Sequence, residues 1–326
     1  MSVLSVRKSL LAAVREEMLR DDSVILLGED IGAMGGPWGT VKGLIDEFGP
    51  ERVIVAPISE SGFTGMAVGA AMRGLRPVTE LMYVDVIGDA LDAVMNQAAK
   101  LRFMAGGQVT IPLVIRCSTG TGSLTAGQHS QSLESLFIHI PGLKVVMPYD
   151  AYDAKGLMKS AIRDDDPVIF IEHQLLYSAK CEVPDEEYTI PLGQANIRRQ
   201  GSDVTILSWS LPLKYCLEAA ELLSAEGIEA EIIDLRTLVP VDWDTIAGSV
   251  KKTRRVMTVE HGAKRGGVGA ELSAQITEEF FSELESPVVR LAADNVVIPY
   301  SPVLEDTIYP RTEKICEAVR KMLRPQ

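Results

Sequence analysis

Two strand-like runs in the first part of the chain end in acidic residues. The run "VILLGED" ends at Glu29 and Asp30, and the run "VIVAPISE" ends at Glu60. In open parallel sheets, ligands bind beyond the carboxyl ends of the strands. These carboxylates are therefore candidates for proton transfer or for binding a polar ligand. The alternative for Glu60 is a structural role, because an acid at a helix start opposes the positive end of the helix dipole.

The helix predicted after Glu60 is built mostly from glycine, alanine and other small residues. Gly62, Gly65 and Gly69 recur in "ESGFTGMAVGAAMRGL", although each glycine costs about 1 kcal/mol of helix propensity. A helix with so little side-chain bulk allows a neighbour to approach closely. The neighbour is another helix of this chain, a ligand or a second subunit, and the sequence leaves all three open.

His129 is the histidine with the clearest case for a chemical role. It lies in "CSTGTGSLTAGQHSQSLESLF", a long run of glycine and hydroxyl residues between a predicted strand and a predicted helix. Loops of this length in compact domains are often functional. Near a helix start the dipole disfavours the charged imidazolium, so a neutral ring can donate or accept a proton. A structural His129 remains the alternative. The other histidines show no metal-ligand spacing and are expected to be structural: His139, His173 and His261.

The elements that must position these residues follow an α/β order. Helical patterns alternate with continuous β-branched runs such as "TIPLVIRCS" and "PVIFIEH", which is typical of parallel strands covered on both faces. The composition of the chain becomes polar and rich in turn-forming residues between residues 178 and 203. We therefore expect two parallel-sheet α/β domains at residues 1–185 and 204–326, joined by a linker at 186–203. The glycine clusters "GAMGGPWG" and "GAKRGGVG" fit no phosphate-binding motif and are predicted to be loops.

Composition narrows the class of protein. The 326 residues are 46% hydrophobic and carry a formal charge of −13, so nucleic acid is an improbable partner and a basic protein a plausible one. The chain contains no signal peptide pattern and no long apolar run, which predicts a protein of the cytoplasm or of an organelle matrix, with no membrane span. The four cysteines include no CxxC pair, which argues against zinc and against a disulfide framework.

Several long strings resemble the β subunit of thiamine-diphosphate-dependent 2-oxoacid dehydrogenases, a transketolase-like family. They include "PISESGFTGMAVGAAMRGLRPVTELM", "GQHSQSLESLFIHIPGLKVVMPYDAYDAKGLMKSAIRDDDPVIFIE" and "PYSPVLED", and the likeness covers essentially the whole chain. The resemblance implies a pyrimidine-binding domain followed by a transketolase C-terminal-type domain. It also implies two β subunits assembled with two α subunits, with thiamine diphosphate held between α and β.

The resemblance assigns roles to individual residues. It implies that Glu60 hydrogen-bonds the aminopyrimidine ring of the cofactor and relays a proton through it, while Glu29 lies beside the same ring. Met82, Tyr83 and Val86 fall on other cofactor-binding positions. His129 matches the histidine used when the acyl unit passes to a lipoyl arm on an acyltransferase core.

One segment that thiamine enzymes need does not occur in this sequence. Their diphosphate and Mg²⁺ are held by a Gly-Asp-Gly segment followed by an asparagine. The nearest string here, "GDALDAVMN" at 88–96, has alanine in place of the second glycine and lies in a predicted helix. We therefore expect an α subunit to hold the diphosphate and Mg²⁺, and the β chain alone to be inactive.

The family also has a structural potassium site built from backbone carbonyls and an aspartate. The matching positions form one set: Leu113, Ala161, Ile162, Asp164 and Asp166. The segment "RDDDP" offers hard oxygen ligands. A solvated acidic turn is the alternative, because carbonyl ligands cannot be read from side-chain identity.

The substrate is less clearly indicated than the family. Val86 stands where the family commonly has an aromatic residue, and Tyr83 compensates in part. We expect a pyruvate-class 2-oxoacid dehydrogenase. The alternatives are acetoin dehydrogenase, a branched-chain 2-oxoacid dehydrogenase and a non-catalytic scaffold; retention of Glu60 and His129 disfavours the scaffold.

Overall fold

The computed structural model describes residues 1–324, which form two compact units. The first unit comprises Met1–Gly120 and Leu136–Leu192. The second comprises Thr121–Ser135 together with the chain from Gly193 onward. Both units contain sheets of mainly parallel strands, so the predicted α/β class is confirmed.

The first unit contains a central parallel sheet and a separate pair of strands. The strands of this unit are β1 (Ser2–Ser5), β2 (Val24–Gly28), β3 (Val53–Val55), β4 (Arg76–Leu81), β5 (Val114–Thr119), β6 (Lys144–Val146), β7 (Val168–His173) and β8 (Lys180–Val183). The parallel strands follow the order β6-β7-β5-β4-β2-β3, and β1 pairs antiparallel with β8. Strands β2, β5 and β7 are buried along their whole length, which explains their nearly continuous apolar runs.

Helices lie between these strands in sequence. They are α1 (Val6–Arg20), α2 (Leu44–Phe48), α3 (Glu60–Met72), α4 (Ile87–Asp92), α5 (Leu101–Met104), α6 (Glu134–Ile138) and α7 (Ala151–Arg163). The sequence predicts one long helix near 87–104, whereas the chain forms α4, a π-helical turn at Ala93–Ala98 and α5. The wider turn changes the hydrogen-bond spacing and ends the regular α-helix at Asp92.

The second unit contains a smaller sheet. The strands of the second unit are β9 (Asn196–Arg199), β10 (Val204–Ser208), β11 (Ala230–Asp234), β12 (Thr237–Val239), β13 (Val256–Ala263) and β14 (Val289–Ala293). Its helices are α8 (Ser210–Ser224), α9 (Trp243–Thr253), α10 (Val268–Phe280), α11 (Pro302–Ile308) and α12 (Thr312–Leu323). Five strands follow the order β14-β13-β10-β11-β9. All neighbours are parallel except β9, which runs antiparallel to β11.

The segment expected to be a linker at 186–203 is divided between the two units. Tyr188 stacks on Tyr152 of the first unit with ring centroids 4.8 Å apart, and the Ile190 amide donates to the Gly156 carbonyl at 3.2 Å. Strand β9 belongs to the second sheet. The polar, turn-rich composition that suggested a linker therefore describes an ordered connection anchored at both ends.

The loop Thr121–Ser135 interrupts the first unit in sequence and packs with the second. The sequence predicts the first domain as one continuous stretch, so it does not predict that residues 121–135 pack with the second unit. The loop packs with the second unit because its backbone amides donate to Glu305 and because Trp209 donates to Glu134 of the loop.

The described part of the chain, residues 1–324, contains twelve helices of four to fifteen residues besides short 3₁₀ and π turns. None of them is long and apolar enough to span a membrane.

Candidate active-site residues

The two acids predicted from the sequence lie at one edge of the first sheet. Strand β2 lies between β3 and β4, and all three strands run parallel, so their carboxyl ends meet at this edge. Glu29 follows β2 directly and is only 5% exposed. Burial, and then the negative charges of Glu60 and Asp30, raise the pKa of the Glu29 carboxyl. Glu29 and Glu60 are therefore close enough to interact.

A buried carboxyl oxygen of Glu29 has no hydrogen-bond partner in the described chain. This atom, Oε1, is enclosed by protein, and no donor among residues 1–324 reaches it. A buried acceptor without a donor costs free energy, so a ligand or a partner chain that supplies a donor is favoured here.

Glu60 is the first residue of α3 and is half-buried. The opening turn of this helix is capped by a different acid, because the Ser61 amide donates to the Asp89 carboxylate at 3.1 Å. The preceding Ser59 makes no side-chain capping bond. The hydrogen-bonded cap of α3 is therefore Asp89, while Glu60 lies in the first turn, where its charge also opposes the positive end of the helix dipole.

The glycine face of α3 is open. A Cβ atom added at Gly65 or Gly69 would meet nothing within 4 Å, and both glycines are exposed. Met66, beside them, is 51% exposed. The small residues of this face are therefore not explained by a helix of the described chain packed against them.

The three other residues predicted at the cofactor site lie just after β4. The Ser118 hydroxyl at the end of β5 donates to the Met82 carbonyl at 2.6 Å and fixes the chain as it leaves the sheet. Tyr83 is half-buried, and burial followed by the negative charge of Asp85 raises the pKa of its phenol. Val86 closes a short 3₁₀ turn and is also half-buried. All three share the first unit with Glu29 and Glu60.

A buried charge cluster under this edge was missed by the sequence reasoning. Arg116, on β5, is 2% exposed and lies between Glu80 on β4 and Glu172 on β7. Its Nη1 donates to Glu80 at 3.0 Å, while Nη2 donates to Glu172 at 2.8 Å and Nε donates to the same carboxylate. The cluster ties together three neighbouring strands at their carboxyl ends. Its only sequence signal is one charged residue within each of the apolar runs "VTELM", "VIRCS" and "VIFIEH".

The same cluster holds the first glycine-rich loop. The Thr40 hydroxyl donates to Glu80 at 3.2 Å. Gly36 has a φ of +78°, and a Cβ there would lie 2.6 Å from a carboxylate oxygen of Glu80. Burial raises the pKa of the Glu80 carboxyl and Glu172 adds to it, although the Arg116 charge opposes both. Gly36 of "GAMGGPWG" thus allows the loop to approach this carboxyl group closely.

The residues predicted to bind potassium gather near the carboxyl end of α7. The Ile162 and Asp164 carbonyls accept hydrogen bonds from Arg76 Nη1 at 3.1 and 3.0 Å. Both carboxylate oxygens of Asp164 accept from Lys144 Nζ at 2.7 Å.

The remaining members of that set are also hydrogen-bonded. The Leu113 carbonyl accepts from the Val168 amide at 2.9 Å and the Ala161 carbonyl from the Asp164 amide at 3.3 Å. Asp166 pairs with Arg102. No group of three or more His, Cys, Asp or Glu side chains in residues 1–324 is arranged to hold a metal ion. A potassium site built from carbonyls stays a prediction.

His129 is half-buried in the loop of the second unit. The Thr125 hydroxyl donates to the His129 carbonyl at 2.8 Å and lies 2.6 Å from the Ser130 hydroxyl. Thr121 donates to the Ser130 carbonyl at 3.1 Å. The many hydroxyl residues of this loop therefore fix its own backbone around the histidine.

A buried carboxyl pair lies where the loop enters α6. Glu134 and Glu260 are each 1% exposed, and Trp209 donates its indole N–H to Glu134 at 3.4 Å. Glu260 accepts the amides of Val268 and Gly269, at 3.0 and 2.9 Å, at the start of α10. Burial, and then the negative charge of Glu134, raise the pKa of Glu260 to about 8. Sequence reasoning missed this pair, although Glu134 lies inside "QHSQSLE".

Comparison with known families matches both units. Residues 2–180 match the family described as "Transketolase, pyrimidine binding domain", and residues 193–315 match "Transketolase, C-terminal domain".

Curated relatives cover nearly the whole chain. The chain is 45% identical over 98% of its length to "Pyruvate dehydrogenase E1 component subunit beta-2, mitochondrial" of Oryza sativa subsp. japonica, covering 86% of that protein. It is 46% identical over 98% of both chains to "Acetoin:2,6-dichlorophenolindophenol oxidoreductase subunit beta" of Cupriavidus necator. It is also 46% identical to the bovine protein "Pyruvate dehydrogenase E1 component subunit beta, mitochondrial", over 98% of this chain and 90% of that one.

A solved structure shares the fold. It is described as "Split gene transketolase, inactive beta4 tetramer", and it superposes with a TM-score of 0.81 at 23% identity, covering 98% of both chains.

Proposed function

The chain belongs to the transketolase-like β subunits of thiamine-diphosphate-dependent 2-oxoacid dehydrogenases, and we propose that it acts with an α subunit on pyruvate. The reaction is the oxidative decarboxylation of the 2-oxoacid with reductive acylation of a lipoyl group. Pyruvate is favoured because relatives of plant, bacterial and bovine origin carry that name at 45 to 46% identity.

The observation that carries the proposal is the Glu29–Glu60 pair at the carboxyl edge of the first sheet. Glu29 presents a buried oxygen without a donor, and the capping of α3 falls to Asp89. An aminopyrimidine ring carries both an N–H donor and a ring nitrogen acceptor, so it can exchange hydrogen bonds with a pair of carboxyl groups. The residues present therefore fit the pyrimidine half of the cofactor.

Thiamine diphosphate, when bound, supplies the carbanion chemistry that decarboxylation of a 2-oxoacid requires. In this proposal Glu60 exchanges a proton with the aminopyrimidine ring and sets its protonation state. Burial, and then the charges of Glu60 and Asp30, raise the pKa of Glu29, so a ligand that donates to its Oε1 offsets the cost of its buried charge. Met82, Tyr83 and Val86 line the same edge and orient the ring and the substrate.

The partner assignments extend the proposal. An α subunit supplies the diphosphate and Mg²⁺ site, because the required Gly-Asp-Gly segment does not occur in this sequence. Two β subunits join two α subunits, and the open glycine face of α3 provides a surface on which a subunit can pack closely. The acidic chain docks on a basic module of a lipoyl-bearing acyltransferase in the cytoplasm. A potassium ion at the carboxyl end of α7 would have to share the Ile162 and Asp164 carbonyls with the Arg76 guanidinium.

His129 is proposed to serve the lipoyl step. Opening the lipoyl disulfide requires a proton for the departing sulfur, and histidine changes protonation near pH 7. Decarboxylation depends instead on Glu60, so the two half-reactions should respond to different substitutions.

Acetoin is the second candidate substrate. The Cupriavidus necator relative with acetoin in its name is as similar in identity as the pyruvate relatives, and the match covers 98% of both chains. Val86, in place of the aromatic residue common in the family, leaves more room beside the proposed ring site.

The test uses the chain coexpressed with an α subunit that carries the Gly-Asp-Gly segment. The assembly should turn over pyruvate in preference to acetoin, and the isolated chain should show no turnover. Glu60→Gln should lower turnover by about 10² or more, as for loss of an acid–base group, while Glu51→Gln, an exposed acid, should change nothing. Normal activity of Glu60→Gln would refute the role of Glu60. Faster turnover of acetoin than of pyruvate would make acetoin the substrate instead of pyruvate.

A further inference from the structure

A buried carboxylate in the second unit holds the loop that carries His129. Glu305 lies on α11, in the string "SPVLED", and is 1% exposed. One carboxylate oxygen accepts the Gly122 amide at 2.9 Å, and the other accepts the Leu124 amide at 3.2 Å. A carboxylate that accepts two backbone amides forms charge-assisted hydrogen bonds, which are stronger than neutral ones.

Hydrogen bonds from two hydroxyl side chains connect the segment that Glu305 holds to His129 and Ser130. Thr125, next to Leu124, donates to the His129 carbonyl at 2.8 Å and contacts the Ser130 hydroxyl at 2.6 Å. On the other side, Thr121 precedes Gly122 and donates to the Ser130 carbonyl at 3.1 Å. Thr125, which contacts the His129 carbonyl, and Thr121, which contacts the carbonyl of the next residue, are therefore each adjacent in sequence to a residue that Glu305 holds.

The loop backbone needs external support. Leu124 and Ala126 have φ values of +62° and +60°, the left-handed region that residues with a Cβ rarely adopt. Such conformations persist only where the surroundings over-determine them. Glu305 supplies that constraint at Leu124.

We propose that Glu305 is a positioning residue that fixes His129 for the lipoyl step, through Gly122 and Leu124. The inference rests on the proposed function of His129. Glu305 in "SPVLED" thereby holds the segment that precedes "QHSQSLE", although the two strings are far apart in sequence.

The chemistry requires a carboxylate at this position. Two acceptor oxygens face two N–H donors, so the amide of glutamine would satisfy one donor and turn its own N–H group toward the other. The neighbouring Asp306 makes no such contact. Its side chain is 69% exposed and pairs with Arg311 at 2.8 Å. Asp306→Asn is therefore a matched control, with the same change of charge one residue away.

The experiment uses the coexpressed α–β assembly with a lipoyl domain as acceptor, and with an artificial electron acceptor in parallel. Glu305→Gln should lower the lipoyl-dependent rate by about 10-fold to 10²-fold, the effect of a misplaced catalytic group, and should change the artificial-acceptor rate much less. Hydrogen exchange at the Gly122 and Leu124 amides should become faster. Asp306→Asn should alter neither rate.

A second variant covers the case in which Glu305→Gln fails to fold. Thr125→Val removes the hydroxyl that reaches the His129 carbonyl and keeps the side-chain shape, so the same selective loss of lipoyl transfer is expected. In a His129→Asn background, neither substitution should cause a further loss, because residues that act as one unit are not additive.

The outcomes separate the two claims. Equal losses in both assays, or a further loss in the His129→Asn background, would overturn the positioning role of Glu305 while leaving the function of His129 intact. Full lipoyl transfer by His129→Asn itself would instead overturn the proposed function of His129, and the role of Glu305 in that step with it.

Discussion

Removal of Arg116 should destabilise the first unit strongly. The guanidinium is 2% exposed and bonds both Glu80 and Glu172, which are buried as well. Arg116→Met keeps a long side chain but leaves two buried carboxylates without their cation. Breaking a buried ion pair in this way costs about 3 to 5 kcal/mol, because the remaining charge cannot be solvated.

The loss should depend on pH. Burial already raises the pKa of Glu80 above its ordinary value, and removal of the Arg116 charge, which opposes that shift, raises it further. A carboxyl group whose folded pKa exceeds its unfolded pKa binds more protons in the folded state, so stability falls as pH rises between the two values. Arg116→Met should therefore be closer to the parent protein at pH 5 than at pH 8.

Hydrogen exchange measured in urea gives the free energy of opening for each unit separately. Amides of β4, β5 and β7 should report the loss, while those of β10 and β13 in the second unit serve as an internal control. A triple variant, Glu80→Gln with Arg116→Met and Glu172→Gln, should recover most of the stability, because it removes all three charges and keeps acceptors for the Thr40 and Tyr177 hydroxyls. A loss below about 1 kcal/mol at pH 8, or a triple variant as unstable as the single one, would refute the reasoning.

Three further measurements probe other parts of the chain. Glu260→Gln should become more stable relative to the parent protein as pH rises from 5 to 8. Burial and Glu134 raise the pKa of Glu260 to about 8, so the parent protein loses stability over that range while the variant does not. A difference between the two denaturation midpoints that does not change with pH would contradict this. Val86→Phe should change the ratio of kcat/KM for pyruvate to that for larger 2-oxoacids, since a pocket methylene contributes about 1 to 3 kcal/mol of discrimination, and an unchanged ratio would place Val86 outside the pocket. Calorimetry should show that a basic acyltransferase module binds more weakly as the salt concentration rises, because exposed charges are screened beyond about 10 Å at 0.1 M ionic strength. An affinity that does not depend on salt would argue against electrostatic docking.

The parts of the fold that follow from local pattern were predictable from the sequence. Continuous apolar runs placed the strands, and Glu29 and Glu60 were identified because they follow two of them. The π-helical turn at Ala93–Ala98 was not predictable, because a shift in hydrogen-bond spacing leaves no change in composition.

Residues whose role depends on tertiary partners escaped the sequence reasoning. A charged residue inside an apolar run, such as Arg116, does not reveal that its partners are Glu80 and Glu172 on the neighbouring strands. The carboxylate of Glu305 shows the same limitation, because its partners are backbone amides, which carry no sequence signal. Packing decides which distant segments come into contact, so the identity of one side chain does not reveal its partner.

The glycine helix α3 shows how structure narrows a choice that sequence leaves open. Close packing of another helix, a ligand and a second subunit all require the same small residues. Because a Cβ at Gly65 or Gly69 would meet nothing within 4 Å, the described chain itself does not use the space. Glu60, at the start of this helix, is only half-buried, and the adjacent Glu29 has an oxygen without a donor. An incomplete polar site beside an unfilled small-residue face is what a subunit would present if its active site were completed by a partner chain.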